Sequence, residues 1–174
     1  AHMRYADKKL AATFAKYTPI SIEDLRDGAF DLDWFKSCYK QLGKERFAIL
    51  YDAAKYISEG NAHTRARKYA DATNGLFSAD EVKAQIIEKR NKDLLMAYGL
   101  IPLSKSGKIT KTAQKEILKR YIFIQQFHKE SKKLGSQRQS SENLACKIAL
   151  NNLARNAHFS DTFRFILNME TQLI

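Results

Sequence analysis

The sequence predicts an all-α protein, and three observations carry that expectation. Apolar residues recur at helical spacing along most of the 174 residues, breakers are sparse at 7 Gly and 2 Pro, and several glycines fall just after apolar runs, where a left-handed turn ends a helix. No stretch alternates strictly between apolar and polar residues across Asn-Gly or Asp-Gly turns, so no sheet is expected. Roughly seven to nine helices on short connections would form an irregular multi-helix bundle or HEAT-like stacked helical hairpins. Ala1-His2-Met3 reads as a vector remnant, and residues 4–174 as a single helical domain, an internal fragment of a longer protein, with a sub-boundary in the loop 100–110.

The elements follow in order. Leu10, Phe14 and Tyr17 place a first helix over about Arg4 to Lys16, stopped before Pro19, which has no N–H to continue it. Ser21 and Asp24 fit a capping box that opens a short helix ended by Gly28. Asp31 can cap the run of Trp34, Phe35, Cys38 and Leu42, with Gly43 after its last turn. Phe47, Leu50, Tyr51, Ala54 and Ile57 then continue a helix from Lys44 to Glu59, closed by Gly60. From Ala62 to Asn74 the face is one of small residues. Ser78 and Glu81 form the clearest capping box, expected to open one helix through Val82, Ile86, Ile87, Leu94, Leu95 and Tyr98 to Gly99. Pro102, Gly107 and the intervening lysines and serines predict a hinge loop. A long helix over about 111–134 ends at Gly135; two more follow, over about 137–156 and from Asp161 onward, the last capped by Ser160.

Charge is the most uneven property. Lys plus Arg against Asp plus Glu count 10 to 9 in residues 1–60, 7 to 5 in 61–104, 10 to 2 in 105–138 and 3 to 3 in 139–174, so most of the net +11 lies in one segment. At about 100° per residue, Lys111, Lys115, Lys119, Lys129 and Lys133 fall within about 80° of one another, while Ala113, Ile117, Tyr121, Ile124 and Phe127 gather on another side. These five lysines are the candidate anion- or partner-binding residues. Mobile cations on one face attract a polyanion without base-specific geometry, so residues 105–133 define a nucleic-acid-binding alternative. The competing reading is a solvated helix face, and the scarcity of arginine in the stripe favours it.

Chemical motifs are missing. His63, His128 and His158 have no metal-ligand spacing, and Cys38 and Cys146 lie in no CxxC pattern, so neither a metal nor a disulfide is expected. There is no GxSxG, Walker-type loop or GxGxxG, which predicts a segment without catalysis or cofactor. The acids Glu23, Asp24, Asp27, Asp31 and Asp33 sit at helix starts, where the dipole favours them, and read as caps. Trp34, Phe35 and Tyr39 form an aromatic group that belongs to a core or anchors a partner. Arg138, Asn143, Asn151, Asn152, Arg155 and Asn156 make the penultimate helix rich in polar groups that need partners if buried. No apolar run of about 18 residues exists and no signal-like start is seen, which predicts a cytoplasmic protein with no membrane association.

The C-terminal third reads Phe127-His-Lys-Glu-Ser-Lys-Lys-Leu-Gly-Ser-Gln-Arg138, Glu142-Asn-Leu-Ala145, Ala149-Leu-Asn-Asn-Leu-Ala-Arg-Asn156, Ser160-Asp-Thr-Phe-Arg164 and Asn168-Met-Glu170. In this it resembles the helical core of large bacterial proteins of unknown function labelled molybdate-metabolism-regulator-like (MolR-like), some of which carry a WGR domain. The likeness is specific over about 121–170, looser over 44–100 and absent over 1–43. It implies one segment of a multidomain protein encoded beside MoxR-type AAA ATPases and von Willebrand A-domain proteins, and it carries over no catalytic residue. The expected function is therefore a helical scaffold or protein–protein interaction module, with other domains of the parent chain or such an ATPase complex as partners.

Overall fold

The structure is a computed structural model, and it describes residues 9–57, 62–104 and 107–174. The expected helix start at Arg4, the helix close at Glu59 and Gly60, and Lys105-Ser106 of the loop lie outside these residues. All regular structure among the described residues is helical: a helical stretch over 9–14, then α1 (Ile22–Asp27), α2 (Leu32–Ile57), α3 (Ala62–Thr73), α4 (Ala79–Lys89), α5 (Lys92–Tyr98), α6 (Lys111–Ser131), α7 (Ser136–Asn156) and α8 (Thr162–Thr171). The chain is an all-α multi-helix bundle. It divides into two compact units, residues 1–53 and 54–174, and the loop expected to mark a sub-boundary, 100–110, falls inside the second.

In the first unit, the Ser21 hydroxyl accepts from the Asp24 N–H at 3.0 Å, the first arm of the expected capping box, while the Asp24 carboxylate accepts from the Ser21 hydroxyl at 2.9 Å in place of the Ser21 backbone N–H. Asp31 accepts from the Trp34 N–H at 2.9 Å and from the Thr18 hydroxyl at 2.5 Å, which starts α2 and ties it to the preceding loop. Gly43, at φ 74° and ψ 168°, is non-helical and divides α2 into two helical stretches across a kink, at the position where the sequence expects one helix to end and the next to begin. Around that break Phe30, Phe35, Tyr39, Phe47 and Tyr51 form a chain of rings with neighbouring centroids 4.8 to 6.3 Å apart. All five rings are half-buried.

The second unit is centred on α5 and α7. Leu94, Leu95, Met96, Ala97 and Tyr98 are all buried, so α5 is enclosed on every side, and it packs on α3, α4 and α7. The helix expected to run unbroken from Ser78 to Gly99 is in fact two. Arg90 ends α4 in the left-handed conformation (φ 50°), and Asn91 caps α5 by accepting from the Leu94 N–H. A single straight helix would expose the run of five apolar residues on its outer faces; the break turns that run into the core. Ser78 itself makes no side-chain cap bond, and α8 is capped by Asp161, which accepts from the Arg164 N–H, instead of by Ser160. At the end of α5 the backbone approaches α7 so closely that a Cβ on Gly99 would stand 2.7 Å from the Ala149 carbonyl and 2.8 Å from the Leu153 nitrogen. Asn152 donates to the Met96 carbonyl at 3.0 Å, and Asn156 to those of Gly99 and Ile101 at 2.9 and 2.8 Å, satisfying the carbonyls left open where α5 ends. Asn152 and Asn156, two of the six polar residues singled out on α7, thus bond it to α5 and the turn that follows. Leu100 and Ile101 are buried, so the expected hinge is anchored at its start.

Candidate interaction surface on α6

α6 is held at two points by buried charge. Near its middle the guanidinium of Arg120, only 2% exposed, donates to the carbonyls of Tyr98 (3.2 Å) and Ile101 (2.7 Å) and to Glu116 (2.8 Å), and stands over the Tyr98 ring. At its C-terminal end, Glu142 of α7 is 1% exposed and accepts from Arg90 at 2.8 to 3.1 Å, from Ser131 at 2.6 Å and from Arg138 at 3.1 Å. Arg90 also reaches Glu130 and the Phe127 carbonyl and stacks 4.1 Å from the Phe127 ring centre. Burial pushes the Glu142 carboxyl up, but the hydrogen bonds from Arg90, Ser131 and Arg138 outweigh it and hold the group below the usual carboxylate range. One residue thereby locks the ends of α4 and α6 to α7.

This arrangement changes the inventory of the basic segment. Arg120 is withdrawn into the core, whereas Arg138 stays exposed at the surface with its charge engaged by Glu142. Lys111, Lys115, Lys119 and Lys129 are exposed along α6 as the helical wheel requires. Lys133 is exposed too, but the helix ends at Ser131 rather than near Leu134, and Lys133 sits in the turn that follows. Lys119 pairs with Asp80 of α4 at 3.3 Å and approaches Glu116 at 4.0 Å, a contact between exposed groups worth little in water.

Two side chains other than lysine share this stripe. Continuing the turn of about 100° per residue from Lys111, Ile122 and Gln126 fall at about 20° and 60°, inside the arc of the lysines. The structure leaves Ile122 46% exposed. Beside it runs an open groove of about 510 Å³ between α4 and α6, with Leu118 and Phe123 as floor and Lys83, Lys115 and Lys119 around the rim. The Lys83 ammonium stands 5.1 Å from the centre of the Phe123 ring. The wheel carried this signal, since position 122 can be counted from the sequence; only the pairing of α6 with α4, which brings Lys83 across, depends on the fold.

A second, smaller cleft of about 250 Å³ opens between α6, α7 and α8, over Ile124, Cys146 and Ile166, with His128 and Asn143 at its wall. Burial, with help from Glu142, pushes the Cys146 thiol up to about 12. Tyr121 hydrogen-bonds to Glu170 across the bundle, and burial followed by that contact pushes its phenol up to about 12. Among the described residues no three His, Cys, Asp or Glu side chains cluster as metal ligands, and His158 instead contacts the Gly107 carbonyl at 3.1 Å. No helix among them is long and apolar enough to cross a membrane.

Fold and surface together define the class: an all-α multi-helix bundle that presents a lysine-rich helix with an apolar break. The match to the family of unknown function DUF5724 extends over residues 1–169, and the chain belongs to that family. No curated protein matches the chain, and no solved structure does.

Proposed function

We propose that this chain is a non-catalytic protein–protein interaction module, a rigid helical part of a larger multidomain bacterial protein in the cytoplasm. The observation that carries the reading is the exposure of large apolar side chains on the outer faces of helices that are already packed: Ile87 on α4 at 66%, Ile122 on α6 at 46%, and Phe163 on α8 at 76%. Contiguous apolar patches rimmed by polar residues mark interaction surfaces, and Ile122 joins Leu118 and Phe123 in one such patch with lysines around it. The likeness of residues 121–170 to MolR-like, WGR-associated proteins supports other domains of the parent chain as the first partners, with a MoxR-type AAA ATPase or a von Willebrand A-domain protein next.

Hydrogen–deuterium exchange tests this directly. The amides around Ile87, Ile122 and Phe163 are expected to exchange more slowly in the full-length parent protein than in this chain alone. Equal exchange at all three places overturns the module reading.

A nucleic-acid-binding role is the second reading, favoured by the exposure of Lys111, Lys115, Lys119, Lys129 and Lys133. It requires binding to random DNA or RNA that falls steeply with salt and disappears when the five lysines are changed to glutamate, because each neutralised phosphate releases a counterion. Absence of binding at low salt removes it.

A further inference from the structure

Resting on the interaction-module reading, we propose that the groove between α4 and α6 is a docking site for an acidic amphipathic segment of a partner protein, one apolar face flanked by carboxylates. Three features select this occupant. Lys83, Lys115 and Lys119 rim the groove from both helices, and the acids beside the rim, Asp80 and Glu116, are engaged with Lys119. The floor is apolar, made by Leu118 and the Phe123 ring, and Ile122 projects beside it in the middle of the lysine arc. The Asp80–Lys119 pair bridges the two helices between exposed groups, so an incoming carboxylate replaces Asp80 at little cost.

A duplex or single strand of nucleic acid fits this surface less well. A phosphate backbone rewards an unbroken line of cations and gains nothing from a half-exposed isoleucine among them. Base stacking rewards a platform of several aromatic faces, and Phe123, packed edge-to-face on Tyr98, is the one ring among the residues that line the groove. An amphipathic helix uses every part of the site. Its apolar residues at helical spacing meet Ile122 and the floor, and its carboxylates meet the lysines on either side.

The test is fluorescence anisotropy of this chain with a labelled synthetic helix of about 18 residues carrying leucines on one face and glutamates on the other. Three variants are compared with the native chain: Ile122→Glu, the pair Lys115→Glu and Lys119→Glu, and as a control the pair Lys129→Glu and Lys133→Glu, which lie outside the groove; circular dichroism verifies that each keeps its helices. Binding is expected to weaken about tenfold or more with Ile122→Glu and with the groove lysines reversed, and by less than about threefold in the control. Poly-glutamate and single-stranded DNA are expected to bind more weakly and to lose less affinity with Ile122→Glu than the amphipathic helix does, since for them the variant only adds one negative charge to the lysine arc.

No binding of the amphipathic helix overturns the proposal, as does binding of poly-glutamate with equal affinity or indifference to Ile122→Glu. The module reading fails separately. Protection at Ile87, Ile122 or Phe163 in the full-length protein without binding of the amphipathic helix keeps the module and removes the groove, whereas equal exchange at all three removes both.

Discussion

Glu142 illustrates how one buried carboxylate can serve several elements. With Arg90, Ser131 and Arg138 all donating to it, replacing it by glutamine leaves Arg90 half-enclosed beside a neutral acceptor, and the cost is expected to be about 3 kcal/mol, read from urea unfolding at neutral pH. The pH dependence has a definite sign. Its folded pKa lies below the unfolded value, so the stabilisation is complete above the unfolded carboxylate pKa of about 4.3 and is lost as pH falls through the folded value. The native chain is therefore expected to lose stability between neutral pH and about pH 3 more steeply than Glu142→Gln does. A parallel acid limb in the two proteins contradicts this. At the same scale, the two thiols should separate under a thiol reagent at about pH 8. Cys38, half-buried, is expected to react in the folded state, and Cys146, buried with its thiol pushed up to about 12, only on unfolding. Equal rates would refute the placement of Cys146.

Among the elements, α5 is the one whose environment differs most from its length. It is a helix of seven residues with five buried in a row, and its seat against α7 depends on the missing side chain at Gly99. Since the atoms a Cβ would meet are backbone, relief requires the helices to part. Gly99→Ala is expected to cost about 3 kcal/mol, measured as a fall in the unfolding midpoint, even though alanine favours helix. Local signals predicted this region unevenly. Ser21, Asp31 and Gly43 act where their spacing placed them, because caps and left-handed glycines are decided by atoms within a few residues. The break at Arg90 was not legible, because it is held by Glu142 and Glu130, which lie 52 and 40 residues away in the chain. Ser78 stands at the N-cap of α4 with an extended backbone, where its pattern placed it, but its side chain makes no cap bond, and the structure offers no reason for that.

Considered as a whole, the molecule pairs the charges it buries and carries its excess positive charge outside. Buried Glu142 is met by Arg90 and Arg138, and buried Arg120 by Glu116, so most of the net +11 is left to exposed side chains. Composition made the basic surface legible, and the helical period located it on α6. What remained hidden was which cations fold inward, since a guanidinium that caps the carbonyls of a distant turn looks in sequence like any other charge.

The half-exposed Ile122 among its lysines has a colloidal consequence. An apolar side chain on a surface invites copies of the same chain to adhere, but here any approach to it brings like charges together, so repulsion guards the spot while counterions are few. Raising the ionic strength from about 0.05 to 0.5 M shortens the range of that repulsion from about 14 Å to about 4 Å, while apolar adhesion persists. The chain is therefore expected to stay monomeric in dilute buffer and to self-associate reversibly as salt is added, by light scattering, with Ile122→Glu remaining monomeric throughout. A partner bearing carboxylates meets no such barrier.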